Sequence, residues 1–201
     1  MKQEINPHES SRAEAFSMWM SSPQPMVTLV KTFDVRRLRK VSRKTGVKFT
    51  VLLCWCICKA ASSIEEFFLL PEPGHLYRFD KLAVNVVVLN EKGGITLRDV
   101  PYSEDISQFN ADFLEATSLA AKTCKSTSLE DAMIIGTSAL PHTELDCIVN
   151  QYSHLIITIA LQLHCRWPDE WQESALRQSG REREHWLQRL PRRQCHLPST
   201  V

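Results

Sequence analysis

Glycine is scarce, with 6 among 201 residues. Neither GxGxxG nor GxxxxGK[ST] occurs, so the chain lacks the glycine-rich backbone cradles that hold the phosphates of dinucleotides and nucleoside triphosphates. Charge of one sign is not in excess: 24 Lys and Arg against 23 Asp and Glu leave a formal net charge of +1, which predicts no nucleic-acid and no membrane partner. Long apolar runs are missing. The longest, "HLIITIALQL", falls well short of the ~20 residues a membrane-spanning helix needs. "MKQEINPHESSRAEAF" at the N-terminus has no apolar stretch of the kind a secretory signal needs. The seven cysteines are an odd number, and without such a signal reduced thiols in a cytoplasm are expected.

Three of those cysteines crowd into "CWCIC" as Cys54, Cys56 and Cys58. Cys54 and Cys58 share a helical face, which allows either buried core thiols or a metal site. No second cluster with ligand spacing accompanies them, so core thiols and no metal are expected.

What is present is ordinary for a globular chain: 43% hydrophobic and 23% charged residues, and enough length to bury a core. "SRAEAFSMWM" (11–20) has a serine cap and helix formers, and predicts a short helix. "MVTLVKTFDV" (26–35) alternates and is β-branched, the pattern of a strand. "DVRRLRKVSRKTG" predicts a helix with Asp34 at its N-cap and Gly46 at its end. Seven basic residues lie from Arg36 to Lys48. Val35, Leu38 and Val41 mark a buried stripe, so the charges read as a solvated face and not as a nucleic-acid site, since no aromatics interleave them.

"FTVLLCWCICKAASSI" (49–64) is apolar nearly all round, as a central core helix would be. Residues 75–103 predict strands broken at the turn "NEKGG", and 103–123 a long amphipathic helix bearing Ile106, Phe109 and Phe113. Residues 132–150 contain a strand, and "LIITIALQL" another. The order predicts a mixed α/β layered domain.

The composition then changes abruptly. Residues 1–164 hold ten Lys and seven Arg, whereas 165–201 hold seven Arg, no Lys, three of the five Trp, and no Ile, Phe, Tyr, Met or Asn. A domain over 1–164 and a divergent Arg/Trp-rich tail over 165–201, helical or disordered, are expected. We read the change as a shifted reading frame or a rearranged gene end. A histidine–Asp-Gly motif in another frame past codon 160 would show the former, and its absence from both frames would exclude it.

Read in order, "SRAEAFSMW", "VKF", "PYSEDISQF", "TSALP" and a late apolar strand resemble the trimeric, catalytic-histidine type of chloramphenicol O-acetyltransferase, over about residues 8 to 160. The resemblance implies a two-layer mixed-sheet α/β sandwich of the CoA-dependent acyltransferase kind. It also implies acetyl-CoA as co-substrate, a small hydroxylated acceptor such as chloramphenicol, and a homotrimer with its active sites at subunit interfaces. It carries an expectation of antibiotic resistance with it. By resemblance, Ser138 is the hydroxyl donor to the oxyanion of the tetrahedral intermediate, and Thr158 holds a water against it. Met18, Trp19 and Ile95 line the acceptor pocket. Met18 and Trp19 could equally be helix core, and Ser138 a strand-end serine satisfied locally. Arg12 matches an arginine that pairs with an aspartate of the catalytic motif, although an exposed charge at a helix start would look the same.

That motif is HHxxxDG, whose second histidine is the general base. Here "IALQLHCRWPDEWQ" (159–172) supplies His164 at the first histidine and Cys165 at the base, with Asp169 at the aspartate's offset and no glycine after it. A thiolate at 165 would sooner be acylated than act as a base. His164 and His142 are the remaining imidazoles near the motif and Ser138. The expectation is therefore an acyltransferase scaffold whose activity is impaired, or a non-catalytic relative that binds or oligomerises.

Overall fold

The computed structural model describes residues 2–23, 27–140 and 159–164. Among them are strands β1 (Lys2–Ile5), β2 (Leu69–Glu72), β3 (His75–Phe79), β4 (Leu82–Leu89), β5 (Ile95–Pro101), β6 (Met133–Leu140) and β7 (Ile159–His164). The helices are α1 (Ala13–Ser21), α2 (Arg36–Thr45), α3 (Phe49–Ala61) and α4 (Ile106–Thr123). The expected mixed α/β class holds, with the strands in two sheets. A three-stranded sheet runs β1-β3-β2, all antiparallel. A four-stranded sheet runs β5-β4-β6-β7, in which β4 and β5 form an antiparallel hairpin while β4, β6 and β7 are parallel.

The hairpin turn at 90–94 closes because Asn90 Oδ1 accepts from the amides of Lys92 (3.1 Å) and Gly94 (3.0 Å), while Gly93 takes φ 78°. Helix α4 starts on Asp105, whose carboxylate accepts from Ser107 N at 2.8 Å, and carries the chain across from β5 to β6. One face of the four-stranded sheet supports the core. Leu82, Val84 and Val86 of β4, Val100 of β5, and Met133 and Ile135 of β6 meet Val51, Cys54, Cys58 and Ala61 of α3 and Phe109 and Phe113 of α4. Tyr102 stands edge-on to Phe109 at 6.5 Å. The all-round apolar reading of α3 is borne out, and Cys54 and Cys58 are core thiols.

Four local expectations are corrected. Residues 27–35 form no strand: their alternation has no neighbour to pair with among the described residues, and Leu29 and Phe33 stay 88% and 74% exposed. The serine expected to cap α1 does not; Arg12 is the cap residue, and Ser10 Oγ accepts from Arg12 N at 3.3 Å just ahead of it. The stripe on α2 is only half-buried at Val35 and Leu38 and exposed at Val41. The N-cap of α2 is Val35 and not Asp34, which stands one residue further out and accepts from Arg36 N at 2.9 Å; Gly46, at φ 76°, ends the helix as expected.

Candidate functional site

Strand β6 presents two adjacent hydroxyls to opposite faces of the sheet, as the two-residue period requires. Thr137 is buried on the helix side, where its Oγ1 donates to the Asn85 carbonyl at 2.9 Å and lies 4.0 Å from Cys54 Sγ. Ser138 turns to the other face and is half-buried. Its hydroxyl has no hydrogen-bond partner among the described residues, so none of them satisfies it locally.

The register shows what shares that face. Thr137 pairs with Val86, which sets Ser138 beside Val87; Val87 pairs with Leu97 and Leu89 with Ile95. Val87, Leu89, Leu97 and Ile95 are all exposed and make an apolar floor next to the Ser138 hydroxyl. With strands about 4.8 Å apart and a rise of about 3.3 Å per residue, Ile95 and Ser138 lie roughly 12 Å apart on this face. The fold thus brings these two expected site residues onto one surface.

On the other side of β6, Ser138 pairs in register with Gln162 and Leu140 with His164, the last residue of β7. Position 164 is therefore roughly 8 Å from position 138 along the neighbouring strand. Thr158, His142, Cys165, Asp169 and the 165–201 tail lie outside the described residues.

Met18 and Trp19 sit on α1, which packs against β2 in the three-stranded sheet. Met18 is 66% exposed and Trp19 is also exposed, so neither is helix core. Arg12, at the start of the same helix, donates to Glu66. Its expected partner in the motif lies outside the described residues.

Sequence reasoning missed one member of the Ser138 face. Asp99 of β5 is buried, and its carboxylate accepts from Asn85 Nδ2 at 2.6 Å and from Leu129 N at 2.8 Å. Asp99, Asn85 and Gly136 form the register row next to that of Leu97, Val87 and Ser138. The signal was available: in "ITLRDVP" an acid interrupts an otherwise strand-like run, and a carboxylate inside a sheet needs donors. The nearby thiols are inert by comparison. Burial pushes Cys54 up to about 11, against the opposing hydrogen bond from Thr137, and pushes Cys58 up to about 12. Among the described residues no cluster of three or more His, Cys, Asp or Glu side chains gathers to hold a metal.

A solved structure described as chloramphenicol acetyltransferase superposes at TM-score 0.65 with 19% identity, covering 76% of this chain and 76% of that one. The chain has the chloramphenicol acetyltransferase fold. A structure of dihydrolipoamide acetyltransferase from Azotobacter vinelandii, determined in a study of its catalytic mechanism, shares 18% identity at TM-score 0.42 over 64% of this chain and 60% of that one. That likeness is too distant to bear on the fold. No protein-family model matches the sequence, and no curated protein does.

Proposed function

We propose that this chain is built to transfer an acetyl group from acetyl-CoA to the hydroxyl of a small acceptor such as chloramphenicol, and that it is impaired because the general base is lost. The observation that supports this most is the Ser138 hydroxyl, without a partner among the described residues on an apolar sheet face inside "SALP", in a chain with this fold. In such a transfer the acceptor oxygen attacks the thioester carbon. The carbonyl oxygen becomes an oxyanion that Ser138 Oγ–H meets, a contact worth roughly 100- to 1000-fold in rate. Thr158 holds a water against the same oxygen. Collapse breaks the C–S bond, and the proton taken from the acceptor hydroxyl ends on the departing thiol.

That proton needs a relay, and in the sequence motif Cys165 takes the position of the base. Ile95, with Met18 and Trp19, lines the acceptor side, and Arg12, paired to Glu66, has a structural role at the start of α1. On this reading 1–164 is the acyltransferase-like domain, 165–201 a divergent tail, and the working unit a cytoplasmic homotrimer that uses no metal. No helix among the described residues is long and apolar enough to cross a membrane.

The second reading, a non-catalytic protein that still binds or oligomerises, is favoured by the missing "DG" and by Cys165. Calorimetry with CoA and a thiol-release assay with acetyl-CoA and chloramphenicol test the proposal together. CoA binding with turnover at or barely above background is expected. No CoA binding would refute a retained scaffold, and sustained turnover would refute the missing base.

A further inference from the structure

Asn85 of β4 lies on the Ser138 face: it pairs with Gly136, while its neighbour Val86 belongs to the core face and pairs with Thr137. It is held at two points. Its backbone carbonyl accepts from Thr137 Oγ1 at 2.9 Å, and its side-chain Nδ2 donates to Asp99 Oδ1 at 2.6 Å. Asp99 is buried and takes a second donor, Leu129 N, on Oδ2 at 2.8 Å. Since Asp99 receives donors at both oxygens, the NH2 end of the Asn85 amide must face it, and Oδ1 is left over as a pure acceptor. Oδ1 has no partner among the described residues.

Among the described residues this face therefore offers two open hydrogen-bonding groups of opposite sense, the Ser138 hydroxyl as donor and Asn85 Oδ1 as acceptor. Positions 85 and 138 are one strand and two residues apart, roughly 8 Å. The apolar Val87 and Leu97 stand in the row of Ser138, and Gly136, with no side chain, stands between Asn85 and Ser138 in register. Left open, Oδ1 takes water. A molecule lying on Val87 and Leu97 beside Ser138 strips that water away. It then supplies an N–H or O–H in exchange, or binds more weakly for leaving the oxygen bare.

We propose that Asn85, oriented by Asp99, is a specificity-determining residue: it selects acceptors that carry a second hydroxyl or an amide N–H close to the hydroxyl that is acylated. This rests on the acyl-transfer reading above, in which Ser138 meets the oxyanion. Two hydrogen bonds of about 2.8 Å, one at each end, take up most of the roughly 8 Å between the positions. The donor therefore belongs near the reacting group and not at the far end of the acceptor. Asp99 acts through Asn85 as a positioning residue, because its charge decides which end of the amide faces outward.

The test measures binding to the full chain by calorimetry with three probes: chloramphenicol, its methyl ether at the hydroxyl that is not acylated, and its N-methyl amide. Wild type should reject one of the methylated probes by at least about fivefold relative to chloramphenicol, and the probe rejected tells whether the hydroxyl or the N–H meets Oδ1. Asp99→Asn presents an NH2 group to Asn85, whose amide turns to accept from it and puts Nδ2 in the outward place. This variant should lose the preference, and reverse it if the ether is the probe rejected. Asn85→Ala should bind all three within about twofold of one another. Circular dichroism checks that the variants fold; if Asn85→Ala does not, wild type and Asp99→Asn decide the matter. The proposal is overturned if chloramphenicol does not bind wild type or if wild type binds all three probes alike. It is also overturned if the preference survives in Asp99→Asn, which alters no volume and would leave rejection by bulk alone in place. Acetyl-CoA binding without chloramphenicol binding sinks this proposal and leaves the acyl-transfer reading standing. The expected probe pattern in a chain that binds no acetyl-CoA upholds the role of Asn85 and sinks that reading.

Discussion

Replacing Asp99 by alanine should be among the most damaging single changes that touch no large core side chain. Its carboxylate holds Asn85 Nδ2 at 2.6 Å and Leu129 N at 2.8 Å, and so ties β5 to β4 and to the segment before β6. Hydrogen bonds to an ionised acceptor are worth about 1.5–3 kcal/mol each, and a buried donor left unpaired adds a desolvation cost. Asn85 is only half-buried and regains water in part, so about 3–5 kcal/mol is expected for Asp99→Ala. Asp99→Asn separates geometry from charge. The new amide oxygen still accepts from Leu129 N, and Asn85 can turn its own amide to pair with the new NH2 group. That variant should lose about 1–2 kcal/mol. Urea unfolding followed by tryptophan fluorescence measures both, provided the denaturant slope is unchanged. If both variants fall within about 1 kcal/mol of wild type, these bonds do not hold the hairpin. If they are equally damaging, the charge and not the bonding pattern matters.

Phe109→Ala should destabilise by about 3–5 kcal/mol by urea unfolding, because this fully buried ring contacts both Tyr102 and Phe113. Gly46→Ala meets open space but must adopt φ 76°, so a loss of about 1 kcal/mol is expected from strain alone, visible as a lower melting temperature. The raised thiols of Cys54 and Cys58 make folding pH-dependent. Folding favours their protonated forms, so their contribution is intact below the ordinary value of 9.0 and is lost as pH climbs through about 11 and 12. Unfolding midpoints should therefore drop above about pH 9, and maleimide should label both cysteines only as fast as the protein unfolds.

The elements legible in the sequence were those whose period and end signals agree. Helix α4 has Asp105 at its cap and Ile106, Phe109 and Phe113 on one side, and α2 has Gly46. The strands flanking "NEKGG" were equally plain. Residues 27–35 misled because alternation records a pattern of side chains, and a strand exists only where a neighbour takes its hydrogen bonds. Strands β1 and β2 escaped notice for the complementary reason: β1 is four mostly polar residues and β2 contains Pro71, and both depend on pairing with β3. At the site, "SALP" pointed to Ser138, and the two-residue period then accounts for the division of labour between Thr137 and Ser138. That Val87, Leu97 and Ile95 form the floor beside Ser138, with Asp99 buried one row away, depends on strand order β5-β4-β6, which no local pattern encodes.

The most direct test of a retained oxyanion side and a lost proton acceptor is thiol release from acetyl-CoA with chloramphenicol, by wild type and by Cys165→His/Glu170→Gly, which restores HHxxxDG over residues 164–170. The account predicts wild type at background and the double variant at least about 100-fold above it. A wild type that already turns over, or a double variant that binds CoA yet stays at background, would contradict it.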